Sequence, residues 1–258
     1  MDGIGCGVDM QLRLLLALVL LALPAGAQVN APFRFVFEPP AGGGDEPVVN
    51  STATSREASD VTTHTITLPA TVESGELLLV ICSFNGVPTV TWDNTSHGTW
   101  TQINNAGNAT VRLVTQVKVA DGTEDGGTLS VTTSVGEKSA TVAFAIGTWE
   151  GTIAGGVQSP ATTNGNNQAP DSAAATDSWG TVPRKTLTMF AQEFNQAVDA
   201  WPSGYTLDQQ LFTSTGTGST SVGVAGRNGT EGSQDPPAFD TNVTAAWRAS
   251  TISVRGTS

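Results

Sequence analysis

Apolar and polar residues alternate along much of residues 111–146. Val111, Leu113, Thr115, Val117 and Val119 are interleaved with Arg112, Gln116 and Lys118. A Gly- and Asp-rich turn follows at 121–127, and Leu129, Val131, Thr133 and Val135 alternate with Ser130, Thr132 and Ser134. After a polar turn at 136–138, Val142, Phe144 and Ile146 share one side. A period of two broken by turns predicts antiparallel strands with one buried face, here three consecutive strands of a meander.

The same pattern organises the rest of the chain. His64, Ile66 and Leu68 share a face of a strand over 62–68. Residues 76–84 are almost all apolar, which predicts a central strand covered on both faces. Short strands over 88–92 and 99–103 flank the loop 93–98, and further strands are expected at 186–194, 206–213, 219–225 and 242–254. Between them lie a weakly patterned connector (152–178) and a polar loop (226–240). Phe84-Asn85 followed by Trp92 is echoed by Phe194-Asn195 followed by Trp201. Gly98-Thr-Trp100-Thr is echoed by Gly204-Tyr205-Thr, and Gly122-Thr-Glu124 by Gly229-Thr-Glu231. The fold expected is an all-β antiparallel β-sandwich of jelly-roll type over 48–258. Within it a unit of about 105 residues is weakly duplicated, as pseudo-repeats over 60–151 and 170–256.

The first 27 residues read as an address. Met10-Gln-Leu-Arg13, an apolar run over 14–23, Pro24 and then Ala25-Gly-Ala27 make a secretory signal peptide over 10–27 after a short extension. An apolar run of ten residues is half the roughly 20 that a membrane span requires. Residues 28–47, with Pro39-Pro-Ala-Gly-Gly-Gly44, form a linker, and Phe33, Phe35 and Phe37 before it suggest a short edge strand. The expected location is secreted or on the cell surface. The connector offers no clear linker between the repeats, so one sandwich is favoured over two.

Charge narrows the partners. Of 258 residues only 13% are charged, and 11 Lys+Arg against 23 Asp+Glu give a net charge of -12. This balance disfavours nucleic acids and anionic membranes as partners. Of the two cysteines only Cys82 follows the leader, which leaves no disulfide framework in one chain.

Candidate chemistry is sparse. His64 and His97 are the only histidines, too few for a zinc site without other converging ligands. No Gly-x-Ser-x-Gly elbow and no paired strand carboxylates occur, and Glu150 and Glu193 stand alone, so a polysaccharide hydrolase ranks last. Asp121, Glu124 and Asp125 cluster in one turn and are the calcium candidates, against the plainer reading of a hairpin turn. Six tryptophans and one tyrosine remain. Trp92, Asn94, Trp100, Trp201 and Tyr205 fall at loop mouths. There, aromatic faces stack on sugar rings while amides bond hydroxyls. The competing role, which is favoured, is plugging the ends of the core. Five Asn-x-Ser/Thr sequons occur, at Asn50, Asn94, Asn108, Asn228 and Asn242.

Several segments carry a resemblance: Glu76-Leu-Leu-Leu-Val80, Val90-Thr-Trp92, Ala120-Asp-Gly-Thr-Glu124, residues 139–146, Trp201-Pro-Ser-Gly-Tyr-Thr206 and Ala246-Trp-Arg-Ala-Ser-Thr-Ile-Ser-Val254. In this order they resemble a family of uncharacterised β-sandwich proteins found among tailed-phage structural or appendage proteins and environmental bacterial surface proteins. The resemblance spans 48–255 and implies a sandwich that binds or assembles. A leader peptide departs from a phage structural protein and shifts weight toward a bacterial surface protein. The function expected is a non-catalytic, surface-exposed binding module with glycans or a cell-surface partner as ligand. A virion or cell-surface structural protein is the alternative.

Overall fold

A strand that is apolar on both faces needs a layer on each side of it and a strand along each edge. β2 (Leu77–Asn85) is such a strand, with every residue from Leu77 to Phe84 buried. The computed structural model describes residues 44–257, and around β2 it places an almost wholly β fold. The leader expected at 10–27, the alternating phenylalanines and residues 28–43 of the linker lie outside the described residues.

The other elements of the first half are β1 (Val48–Thr67), β3 (Val90–Trp92), β4 (Thr101–Asn108), β5 (Val111–Val119) and β6 (Thr128–Gly147). The single-turn helix α1 (Ile153–Gly156) leads into the second half. There follow β7 (Val157–Gln158), β8 (Thr163–Asn167), β9 (Ala175–Thr176), β10 (Arg184–Glu193) and β11 (Val198–Ala200). Last come β12 (Leu207–Thr213), β13 (Thr220–Gly229), β14 (Ser233–Gln234), β15 (Asp240–Thr241) and β16 (Ala245–Arg255).

Two antiparallel sheets result. The first runs β1-β6-β2-β5-β4 with β3 added on β6, and the second β12-β13-β10-β16-β7 with β8 added on β16. The expected meander is therefore interrupted. β5 and β6 are not neighbours, because β2 pairs with β5 along one edge and β6 along the other. Burial on both faces makes β2 the best candidate for the middle, and the sheet forms around it. The sandwich is antiparallel and all-β as expected, but its connectivity departs from a jelly roll. A jelly roll interleaves its Greek keys between sheets, whereas here the first half of the chain builds one sheet and the second half the other.

The two sheets share one order. β2 corresponds to β10, β5 to β13, β4 to β12 and β6 to β16, with the β7–β8 segments in the place of β1. They pack face to face in opposite directions: β6 lies over β12 and β13, while β4 and β5 lie over β16. This arrangement is a pseudo-two-fold passing between β2 and β10.

Alternation then sorts the core into three layers. Leu77, Leu79 and Ile81 face Leu187, Met189, Val222, Val224 and Ile252 between the sheets. Leu78, Val80, Cys82 and Phe84 face outward from the first sheet, where they meet Ile66, Leu129, Val131, Trp92 and Trp100. Phe190, Ala225 and Ala249 face outward from the second, under Tyr205, Phe239 and Trp201.

The outer cover of the first sheet is made by two strands that double over. The β1–β6 register slips between Glu57 and Thr63, opposite residues 132–139. Beyond it, Thr63–Thr67 and the start of β6 lie across the outer face, with β3 added beside them. The polar stretch at 136–138 is thus a bend inside β6 rather than a turn between strands. Along the folded-back edge, Thr65 N–H donates to Glu57 Oε1 (3.3 Å) and Thr67 N–H to Ser55 Oγ (3.2 Å). These side chains occupy part of an edge that would otherwise offer itself for pairing.

His64 is pinned in this cover. It is 1% exposed and sits edge-on to Phe84, with Nδ1 2.9 Å from Ser139 Oγ and Nε2 3.0 Å from Thr133 Oγ1. Thr133 donates its own proton to Val135 O (2.8 Å), so it accepts from Nε2–H, and Ser139 donates to Nδ1. Burial holds the His64 pKa below its ordinary 6.5, opposed by the charge of Glu57. The unfolded chain therefore takes up this proton before the folded one does. Stability from neutral His64 is complete above about pH 6.5 and declines as the pH falls below it. Urea midpoints at about pH 7.5 and about pH 5 should fall further for the wild type than for His64→Gln. Equal falls would exclude His64 as the source.

Candidate functional site

β3 ends at Trp92, and the loop after it is held at both ends. Asp93 N–H donates to Ser130 O of β6 (3.0 Å). Asp93 Oδ1 then accepts from Thr95 N–H (2.8 Å) and Thr95 Oγ1–H (2.5 Å), and Oδ2 from Ser96 Oγ–H (2.6 Å). These bonds, Ser96 first, hold the Asp93 carboxyl down to about 2, so at neutral pH it is an acceptor and not a proton donor. Asn94, exposed, accepts from the Trp100 backbone N–H (3.2 Å), and Gly98 turns the chain with φ +72°. His97 Nε2 contacts Thr128 O (3.2 Å).

Under this loop the two indoles lie 6.0 Å apart and tilted by 37°. Trp100 is 6% exposed and Trp92 is half-buried. Both indole N–H groups are buried and neither has an acceptor. A buried donor without a partner costs about 1–3 kcal/mol, so this pair is an expensive feature.

The second-half copy is closed. The Tyr205 backbone N–H donates to Pro202 O (3.0 Å), and its hydroxyl donates to Gln234 Oε1 (3.2 Å). Tyr205 is 1% exposed, and burial pushes its phenol up to about 12. Trp201 packs edge-on to Phe239 at 6.0 Å, which in turn meets Phe190 at 4.7 Å. Trp92, Asn94 and Trp100 thus gather on the outer face of the first sheet. Trp201 and Tyr205 gather on the opposite outer face, and the five residues form no common platform. Trp149 and Trp247 are buried, with their N–H groups donated to Gly75 O and Asn167 Oδ1, each at 2.8 Å.

The acidic turn proves to be stapled by a cation. Glu124 is fully buried, pairs with Lys118 Nζ, and accepts from the N–H groups of Asp121 (3.2 Å), Gly122 (3.0 Å) and Thr123 (3.1 Å). Asp121 accepts from Thr123 and from Lys118, the latter at 3.2 Å. Asp125 Oδ1 accepts from Val72 N–H (2.5 Å). Burial works against the Lys118 ammonium, but its bonds to Glu124 and Asp121 outweigh this and raise its pKa. The oxygens offered to calcium are thus turned onto an ammonium and backbone N–H groups. Among the described residues no group of three or more His, Cys, Asp or Glu converges as metal ligands.

Glu150 and Glu193 each accept from a threonine hydroxyl, Thr152 (2.9 Å) and Thr110 (2.5 Å) respectively. The buried partner Lys118 was not anticipated. Its signal was a lysine in a strand otherwise rich in valine, six residues before a glutamate. Among the described residues no helix is long and apolar enough to cross a membrane. Models of known protein families, curated proteins and solved structures yield no match to this chain.

Proposed function

We propose that the protein is a non-catalytic binding module, displayed outside the cytoplasm by the leader at 10–27, whose ligand meets the loop 93–98 over Trp92 and Trp100. One observation carries this reading: two adjacent indole N–H groups lack an acceptor in one copy of the duplicated edge. In the other copy Tyr205 is hydrogen-bonded and closed. A ligand oxygen is the missing partner once the loop shifts to admit it. Asn94, Thr95 and Ser96 add amide and hydroxyl groups at the same rim, and half-buried Trp92 adds an aromatic surface. That combination suits a glycan.

The test is a glycan array followed by titration of Trp fluorescence. Asn94→Ala removes an exposed amide, and it should weaken binding about five-fold while leaving the fold intact. Trp92→Ala should abolish binding, and Trp201→Ala, on the far face, should not change it. A folded protein that is silent across the array, or binding that survives Asn94→Ala unchanged, would end this reading.

A further inference from the structure

A sequon can be modified in a folded chain only where two of its groups are free. One is the asparagine Nδ2, which takes the sugar, and the other is the hydroxyl two residues on, which the transferring enzyme reads. The structure sorts the five sequons by this requirement. Asn50 Nδ2 donates to Glu76 Oε1 (2.5 Å). Asn228 Nδ2 donates to Glu46 Oε2 (2.8 Å), and its Oδ1 is buried. Half-buried Asn108 donates from Nδ2 to both Gly165 O (2.9 Å) and Trp247 O (3.1 Å). Its threonine, Thr110, donates its hydroxyl proton to Glu193 Oε2 (2.5 Å). At Asn94 the amide is exposed, but the Ser96 hydroxyl donates to Asp93 Oδ2 (2.6 Å).

Asn242 differs from all four. It lies in the bend between β15 and β16, and both it and Thr244 are exposed. Its Oδ1 accepts from Ala197 N–H (2.8 Å), and its own N–H donates to Ala197 O (3.2 Å). These bonds fix the amide with Nδ2 as its outward end. Neither Nδ2 nor the Thr244 hydroxyl has a hydrogen-bond partner among the described residues. Asp240, also exposed, stands two residues before Asn242, and no other sequon has an acid there. A cationic subsite in a transferase would therefore select this sequon electrostatically.

We propose that Asn242 is a glycan acceptor, and the one of the five sequons that the folded chain presents. The donor is an oligosaccharide linked to a lipid through pyrophosphate. Asn242 Nδ2 forms a bond to C1 of the first sugar as the C1–O bond breaks. The lipid pyrophosphate leaves with that electron pair, and Nδ2 loses one of its two protons. The remaining Nδ2 proton and the Oδ1 bond to Ala197 are retained. The bend belongs with the cover of the second sheet, since Val198, opposite Thr241, packs there. The glycan thus stands on the face away from the loop 93–98. The proposal rests on export by the leader at 10–27 and not on what that loop binds.

The test supplies a purified oligosaccharyltransferase and its lipid-linked donor to the folded full chain, with glycopeptide mass spectrometry as the readout. Transfer to Asn242 alone is expected. Asn242→Gln and Thr244→Ala should each end it, while Thr244→Ser and Asn94→Gln should keep it. Synthetic peptides spanning each sequon show what the enzyme accepts without the fold. Asn50 or Asn108 modified as a peptide but not in the folded chain is the protection expected. A variant that unfolded would betray itself by gaining sugar at these sites. Enzyme and donor are both supplied, so a failed leader would not be mistaken for a failed site. No glycan on Asn242 of the folded chain overturns the proposal, whether or not its peptide is accepted, as does a glycan on any of the other four.

Discussion

Arg184→Ala should destabilise the fold by about 3–5 kcal/mol, the range for leaving a buried charge without its partner. Arg184 is fully buried at the start of β10, the central strand of the second sheet. Its guanidinium meets Asp177 Oδ2, Gly180 O and, through Nε, Val182 O at 3.3 Å. The ring of Trp179 lies 5.7 Å from its carbon. One side chain thereby ties the 177–182 loop to the sheet. Alanine would leave the Asp177 carboxylate, with 3% side-chain exposure, facing no cation. It would also loosen the β9–β14 pair that Asp177 N–H anchors to Gly232 O (2.9 Å). Urea unfolding gives the number. The double change Arg184→Met with Asp177→Leu should recover most of the loss, because well-packed apolar replacements for buried ion pairs are often neutral. A loss under about 1 kcal/mol for Arg184→Ala would mean that water reaches Asp177 in solution.

Arg184 also marks the limit of what the residues alone disclosed. β2 was legible because nothing but a two-sided apolar strand accounts for residues 77–84. The faces of His64, Ile66 and Leu68 were legible from alternation. β1 was not, before residue 62. As an edge strand it is covered on one side only, so small Thr, Ser and Ala residues suffice there and no apolar alternation marks it. The order of the repeated pieces was visible, but the partition of one half per sheet was not, since strand pairing is non-local. Nor was the bend in β6, because polar residues at 136–138 suit an exposed bend as well as a turn. Among the site residues, the gathering of Trp92, Asn94 and Trp100 followed from their closeness in the chain. The burial of Lys118 against Glu124 did not, because it depends on what covers the outer face of the first sheet. A basic residue on a strand in a chain poor in Lys and Arg was its only trace.

The duplicated Gly-Thr-Glu turns give the second large effect, and a built-in control. Glu124→Ala should cost about 3–4 kcal/mol, whereas Glu231→Ala should cost no more than about 1 kcal/mol. The motifs are identical, and the difference lies in the strand before each. In the first half Lys118 stands on β5 opposite Leu78, with 9% side-chain exposure, and it draws Glu124 inward onto three backbone N–H groups. Ala225 holds the corresponding position on β13, opposite Thr188. With no buried cation to meet, Glu231 stays 54% exposed, pairing with Arg227 at 3.0 Å and Gln234 Nε2 at 3.2 Å. Salt should erase the small Glu231 effect and leave the Glu124 effect in place, since only exposed pairs are screened. Thermal melts of both variants in low and high salt decide the matter. Equal losses would mean that Lys118 and Glu124 are solvated and that the first turn is as open as the second. If the losses differ in this way, one lysine accounts for the divergence: it closed the first copy of the turn, and the second copy, which has none, remained an exposed turn.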